Sequence, residues 1–197
     1  QAALLVPPTT IPYIAAHLAT RALKAELNTT PKPGLVDTHD SGAHRDMDHA
    51  LMMRSIRALH PYFVQLAILG YDSTQLPAHN DIVHIGLEAE KAMFKSTGGV
   101  NTYKGALFSM GLALTAATYI IGRGKVAMTT HGKEYVPGDL LSATITQFAN
   151  GFPDTSGTHG SRAKQLAQAG CRLKSALDNA REGYRSTRHA SRATTRT

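Results

Sequence analysis

The sequence predicts an all-α fold, a single compact multi-helix bundle. Apolar residues recur at steps of three and four along most of the chain. No stretch sustains the apolar-polar alternation of a strand. Residues that cap or stop helices punctuate the periodic segments.

The elements follow in order. Residues 11 to 27, "IPYIAAHLATRALKAEL", carry a proline near the first turn and are rich in Ala and Leu, as a helix start allows. Ile14, Leu18, Ala22 and Ala25 share one face of it. "NTTPKPG" (28 to 34) ends this helix, since two prolines and a glycine cannot continue it. Asp46 or Asp48 can cap a second helix. There Met52, Ile56, Leu59, Phe63 and Leu66 form a core-facing stripe, and Pro61 is expected to kink or restart the element. Asp81 can cap a third, with Ile82, Ile85, Ala89 and Met93 on the buried side. Asn101 or Thr102 starts a long helix from about 103 to 121. Residues 122 to 138 read as a loop with room for a short extended piece. Asp139 can cap "LLSATITQFAN", and two last helices are expected near 158 to 169 and 171 to 184.

The 197 residues suffice for one domain, expected over 1 to 184. At 42% apolar the composition is that of a globular chain. The longest apolar run, Ala106 to Ile121, is interrupted by Ser109, Gly111, Thr115 and Thr118. It reads as a buried helix rather than a membrane span. The lone Cys171 excludes an internal disulfide framework and suits a reducing, cytoplasmic setting. Gln1 at the start suits a processed chain or a piece of a longer one. The net charge is +7, and four of those charges are arginines in "RSTRHASRATTRT" (185 to 197), which holds no acid. This tail is expected to be disordered or non-native. It lacks the aromatics with which single-stranded nucleic acid is stacked, so a nucleic-acid partner is not expected. The remaining +3 suits anionic ligands such as nucleotides.

Three polar clusters stand against the helical background. "TPKPGLVDTHDSGAHRDMDH" (30 to 49) combines Asp37, Asp40, Asp46 and Asp48 with His39, His44 and His49. Carboxylates and imidazoles at short spacing can bind a divalent metal, although aspartates near helix ends also serve as caps. In "GLEAEKAMF", Glu90 lies near the core stripe, where it can be a ligand, a base or half of an ion pair. "STGGVNTYKG" places Gly98-Gly99 and Asn101-Thr102 before Lys104, in the first turn of a helix. Free N–H groups, the helix dipole and a lysine together suit a phosphate, and a plain glycine cap with a solvated lysine suits the same residues. There is no Walker A loop and no G-x-S-x-G elbow.

Taken in order, "TPKPGLVDTHDSGAHRDMD", "ALHPYF" and "IGLEAEKAMFKSTGGVNTYKGALFSMGLALTAA" resemble the triphosphoribosyl-dephospho-CoA synthase family. The resemblance covers roughly residues 20 to 184. It implies an all-α enzyme, a cytoplasmic transferase making the prosthetic-group precursor of citrate lyase and malonate decarboxylase acyl carrier proteins. The implied substrates are ATP and 3′-dephospho-CoA. The 2′-hydroxyl of dephospho-CoA attacks C1 of the ATP ribose, adenine leaves, and the triphosphate travels with the ribose.

The resemblance also implies roles. Lys32, Gly34, Gly98, Gly99, Asn101, Thr102 and Lys104 would bind substrate phosphates. Asp37, Asp46 and Glu90 would hold Mg²⁺. Asp37 or Glu90 would be the base, and His44 the acid or its partner. Small-molecule substrates are implied, with no membrane. A homodimer is open, as is fusion or association with the transferase that uses the product. The chain departs from the family at Tyr103, where the motif has histidine. The match ends after Tyr184, and a later Asp-Thr-Asn…Arg-Gly segment is missing. Two alternatives stay open: a helical metal-dependent nucleotide phosphohydrolase, and an inactive nucleotide-binding fragment.

Overall fold

The computed structural model describes residues 10–128, 134–153 and 175–184. Their regular structure is helical apart from one two-residue strand pair, so the expected all-α class holds. The chain divides into two units, residues 1–125 and 126–197.

The first unit strings together α1 (Ile11–Asn28), α2 (His49–Asp72), α3 (His79–Thr97) and α4 (Lys104–Gly122). α2 packs against all three of the others. Its stripe is the reason: Met52, Ile56, Leu59, Phe63 and Leu66 are all buried, as the spacing predicts. Each such side chain contributes about 1.5–3 kcal/mol by leaving water. α2 and α4 approach closely because glycines line the contact. Gly70 lies against the Thr115 carbonyl and Thr118 hydroxyl, and Gly122 against the Tyr71 carbonyl, where a Cβ would overlap these atoms. The buried Thr115 and Thr118 hydroxyls donate to the carbonyls of Gly111 and Leu114 at 2.9 Å each, so their polarity is satisfied inside α4.

Several sequence expectations are corrected. α2 runs through Pro61 without a break. Pro61 and Arg57, whose carbonyl loses its partner, are both exposed, so water can meet that carbonyl. On α1 the residues Ile14, Leu18, Ala22 and Ala25 do share one face, and it is the exposed one. The buried face is Ala16, Ala19, Leu23 and Leu27, whose alanines allow close approach. α4, at 19 residues, is long and apolar enough to cross a membrane, against the expectation that no run is. Its Leu107, Leu112, Leu114 and Ile120 are instead buried in a unit where it packs on α1, α2 and α3. Asp81 and Asp139 do not cap. They lie inside the first turns of α3 and α5, where their charge still favours the dipole.

In the second unit, β1 (Ala127–Met128) and β2 (Glu134–Tyr135) pair antiparallel within the expected loop. α5 (Gly138–Asn150) and α6 (Ala176–Arg181) pack on each other. Ser175 and Asp178 form a capping box at the start of α6. Ser142 Oγ donates to the Gly183 carbonyl at 2.7 Å, tying the two helices together. The helix expected at 158 to 169, Cys171 and the basic tail lie outside the described residues.

Candidate functional site

Up-and-down helices bring the C-terminal ends of α1 and α3 to the N-terminal ends of α2 and α4. Three contacts fix this. Asn28, the last residue of α1, bonds through Oδ1 to Nε2 of His49, the first of α2, at 2.8 Å. Thr102, just before α4, donates to Ser55 in the second turn of α2 at 2.6 Å. Lys104 Nζ donates to Glu90 Oε1 of α3 at 2.6 Å. Of the site residues expected from sequence, Lys32, Gly34, Asp37, His44 and Asp46 lie on the loop from α1 to α2, Gly98, Gly99, Asn101 and Thr102 on the connection from α3 to α4, Lys104 at the start of α4, and Glu90 within α3, two turns before its end.

That loop is built around Asp37, which is buried. Its Oδ1 accepts from the His39 and Asp40 N–H groups at 2.7 and 3.1 Å. Its Oδ2 accepts from Thr30 Oγ1 at 2.8 Å and the Lys32 N–H at 3.1 Å. These bonds, the one from His39 foremost, hold its carboxyl far below the usual carboxylate range. Asp37 therefore organises the loop; with every lone pair engaged it is a weak base and a poor metal ligand. The loop also folds back on itself: the Ala43 N–H donates to the Gly34 carbonyl at 3.2 Å. Gly42 sits at φ 58, and a Cβ there would strike the Gly34 and Leu35 backbone. Lys32 is turned toward α1, donating to the Glu26 carbonyl at 2.8 Å and to Glu26 Oε1 at 2.9 Å.

The glycine pair has a local job. Gly98 and Gly99 lie at φ 66 and 93, and both N–H groups turn back to the Phe94 carbonyl, closing α3. Open space surrounds both, so the backbone stays accessible. Asn101 Oδ1 accepts from the Lys104 N–H at 3.2 Å, but the cap position of α4 is Tyr103, without a side-chain capping bond, rather than the expected Asn101 or Thr102. Tyr103 is buried, with its N–H directed at Met93 Sδ 3.3 Å away. Its hydroxyl is buried and has no hydrogen-bond partner. Burial, and then the Glu26 charge, push the phenol far above its ordinary pKa, so it stays neutral.

His44 and Asp46 lie apart from these groups, on an open cleft of about 370 Å³ at the start of α2. His44 Nδ1 is 3.8 Å from Asp46 Oδ1. Asp48 accepts from the Leu51 N–H at 2.7 Å and is the cap of α2. The carboxylates proposed for Mg²⁺ do not converge. Among the described residues no group of three or more His, Cys, Asp or Glu could hold a metal ion. Glu90 is paired with Lys104, and Asp37 is saturated, which leaves Asp46, its side chain 63% exposed. One exposed carboxylate, with only the His44 ring 3.8 Å away, fits Mg²⁺ carried on phosphates, not a cage made by the protein.

The chain is similar to proteins of known name. A curated relative from Haemophilus ducreyi, named 2-(5''-triphosphoribosyl)-3'-dephosphocoenzyme-A synthase, is 40% identical over 147 residues, 71% of this chain and 46% of its own. A relative of the same name from Pectobacterium atrosepticum is 44% identical over 107 residues, 53% of this chain and 36% of its own. The match thus spans less than half the length of these relatives. No solved structure matches significantly. The family model described as ATP:dephospho-CoA triphosphoribosyl transferase matches residues 13–191, nearly the whole chain. The chain belongs to the ATP:dephospho-CoA triphosphoribosyl transferase family.

Proposed function

We propose that this protein transfers the triphosphoribosyl group of ATP to the 2′-hydroxyl of 3′-dephospho-CoA. The new bond is between that oxygen and C1 of the ATP ribose. The bond from C1 to adenine breaks, adenine takes the electron pair and a proton, and the triphosphate stays on the ribose. The observation that carries this, beside family membership, is the gathering of two helix N-termini, Lys104, Glu90 and the Asp37 loop at one end of the first unit. Helix N-termini and lysines favour phosphates.

The geometry supports Glu90 over Asp37 as the base. Glu90 pairs with Lys104 alone among the described residues, and its side chain is 22% exposed. Lys104 turning to a phosphate would free its carboxylate for the hydroxyl proton. Lys32 would do the same from Glu26. Asp37 would hold the loop that carries Lys32 and Gly34. Gly98 and Gly99 would give the substrate open backbone. Asn101 and Thr102 would fix the start of α4 beneath the phosphates. His44, on the cleft, would protonate adenine. Mg²⁺ would arrive on the triphosphate, held by Asp46, and would neutralise phosphate charge. A cytoplasmic setting accords with a single cysteine. The exposed Ile14 and Leu18 of α1 are where a homodimer contact, or contact with the product-using transferase, would be sought.

Adenine release from ATP, Mg²⁺ and dephospho-CoA, followed by chromatography, tests the proposal. Lys104→Ala should lower kcat/KM about tenfold or more, the worth of one charge-assisted hydrogen bond. Release of inorganic phosphate in place of adenine would favour a phosphohydrolase instead.

A further inference from the structure

The cleft at the start of α2 contains two cations that no role above uses. Arg45, on the loop, and Arg54, on the second turn of α2, both line it, and both are exposed. Neither guanidinium makes a hydrogen bond or an ion pair among the described residues. Lys32, Lys91 and Lys104, by contrast, are each held by a glutamate. Arg45 and Arg54 are thus two unpaired cations that share one concave surface. Beside them stand the Ser41 hydroxyl, the His44 ring and the Asp46 carboxylate. The volume of about 370 Å³ is enough for a chain of two or three phosphates.

We infer that this cleft is a polyphosphate subsite in which Arg45 and Arg54 hold phosphate oxygens of a nucleotide substrate. Two forked guanidiniums grip a phosphate chain in two directions at once, which a lysine cannot. The exposed Asp46 places a carboxylate where a phosphate-bound Mg²⁺ would need one. The inference rests on the synthase reading for the identity of the nucleotide, since ATP and dephospho-CoA both carry phosphate chains. The cleft itself does not depend on that reading.

Inorganic tripolyphosphate, without reaction, is the first probe, with binding to the whole chain measured by calorimetry. Arg45→Ala and Arg54→Ala should each weaken it about tenfold. Arg54→Lys should fall between, keeping the charge and losing the fork. Arg57→Ala removes the same charge from an exposed α2 position outside the cleft and should leave binding unchanged. ATP and dephospho-CoA form the other arms, and the one whose affinity falls in the two alanine variants is the occupant. Tripolyphosphate binding that is equal in the parent and both variants, each showing the parent's circular dichroism, overturns the subsite. So does an equal loss in Arg57→Ala, which would mean net charge alone. Loss of binding in the cleft variants, with no adenine release from the parent either alone or completed with the parts of the Haemophilus ducreyi relative that it does not match, would sustain the subsite and sink the reaction.

Discussion

Asp37 shows how a residue can look catalytic in sequence and be architectural in the fold. Its four hydrogen bonds stabilise the charged form, so its folded pKa is depressed. The stability it provides is fully present above the ordinary aspartate value of about 4 and is lost as pH falls from there through the folded value. Asp37→Asn should lower the Tm at neutral pH and flatten the fall in stability on acidification below about pH 4. Unchanged thermal melts at both pH values would contradict this. Tyr103 makes the opposite case. Its buried hydroxyl is unpartnered, so Tyr103→Phe should be neutral or stabilising by about 1 kcal/mol in denaturant unfolding. A parallel drop in kcat without loss of stability would show that substrate uses the hydroxyl. Gly42 and Gly98 separate two costs of alanine at positive φ. Gly98→Ala meets open space and should cost about 1 kcal/mol, while Gly42→Ala strikes backbone and should cost about 2–3 kcal/mol.

Between elements, the α2 to α4 contact sets the register of the first unit. Gly70→Ala puts a methyl onto Thr115 and Thr118 and should cost about 1–3 kcal/mol, read from urea unfolding. The α2 stripe was legible in sequence because large residues at steps of three and four leave only one face to bury. The α1 face was not, because alanines mark both sides of that helix. Contact with α2, which sequence does not show, chose Ala16 and Ala19 over Ala22 and Ala25. Caps were half legible. Asp48 caps and Asn101 meets the first N–H of α4 from outside the cap position, whereas Asp81 and Asp139 sit within the first turns of helices whose starts depend on loop paths.

Across the molecule, the long motifs carried the family, and the helical ends carried the place where the motif residues meet. Which carboxylate is available was not legible, since Asp37 is saturated largely by backbone groups while Glu90 meets a single lysine from another helix. Nor were Arg45 and Arg54: a lone arginine in a polar loop reads the same whether it faces solvent or a cleft. The central claim is that the bond broken is the one between ribose and adenine. The most direct test follows the γ-phosphate of isotopically labelled ATP in a mixture with Mg²⁺ and dephospho-CoA. The chain is assayed alone and completed with the parts of the Haemophilus ducreyi relative that it does not match. The expected result is label in a dephospho-CoA adduct that retains all of the ATP phosphates, with free adenine in equal amount. Label in free phosphate or pyrophosphate, or no adduct from either protein when both are folded, would contradict the account.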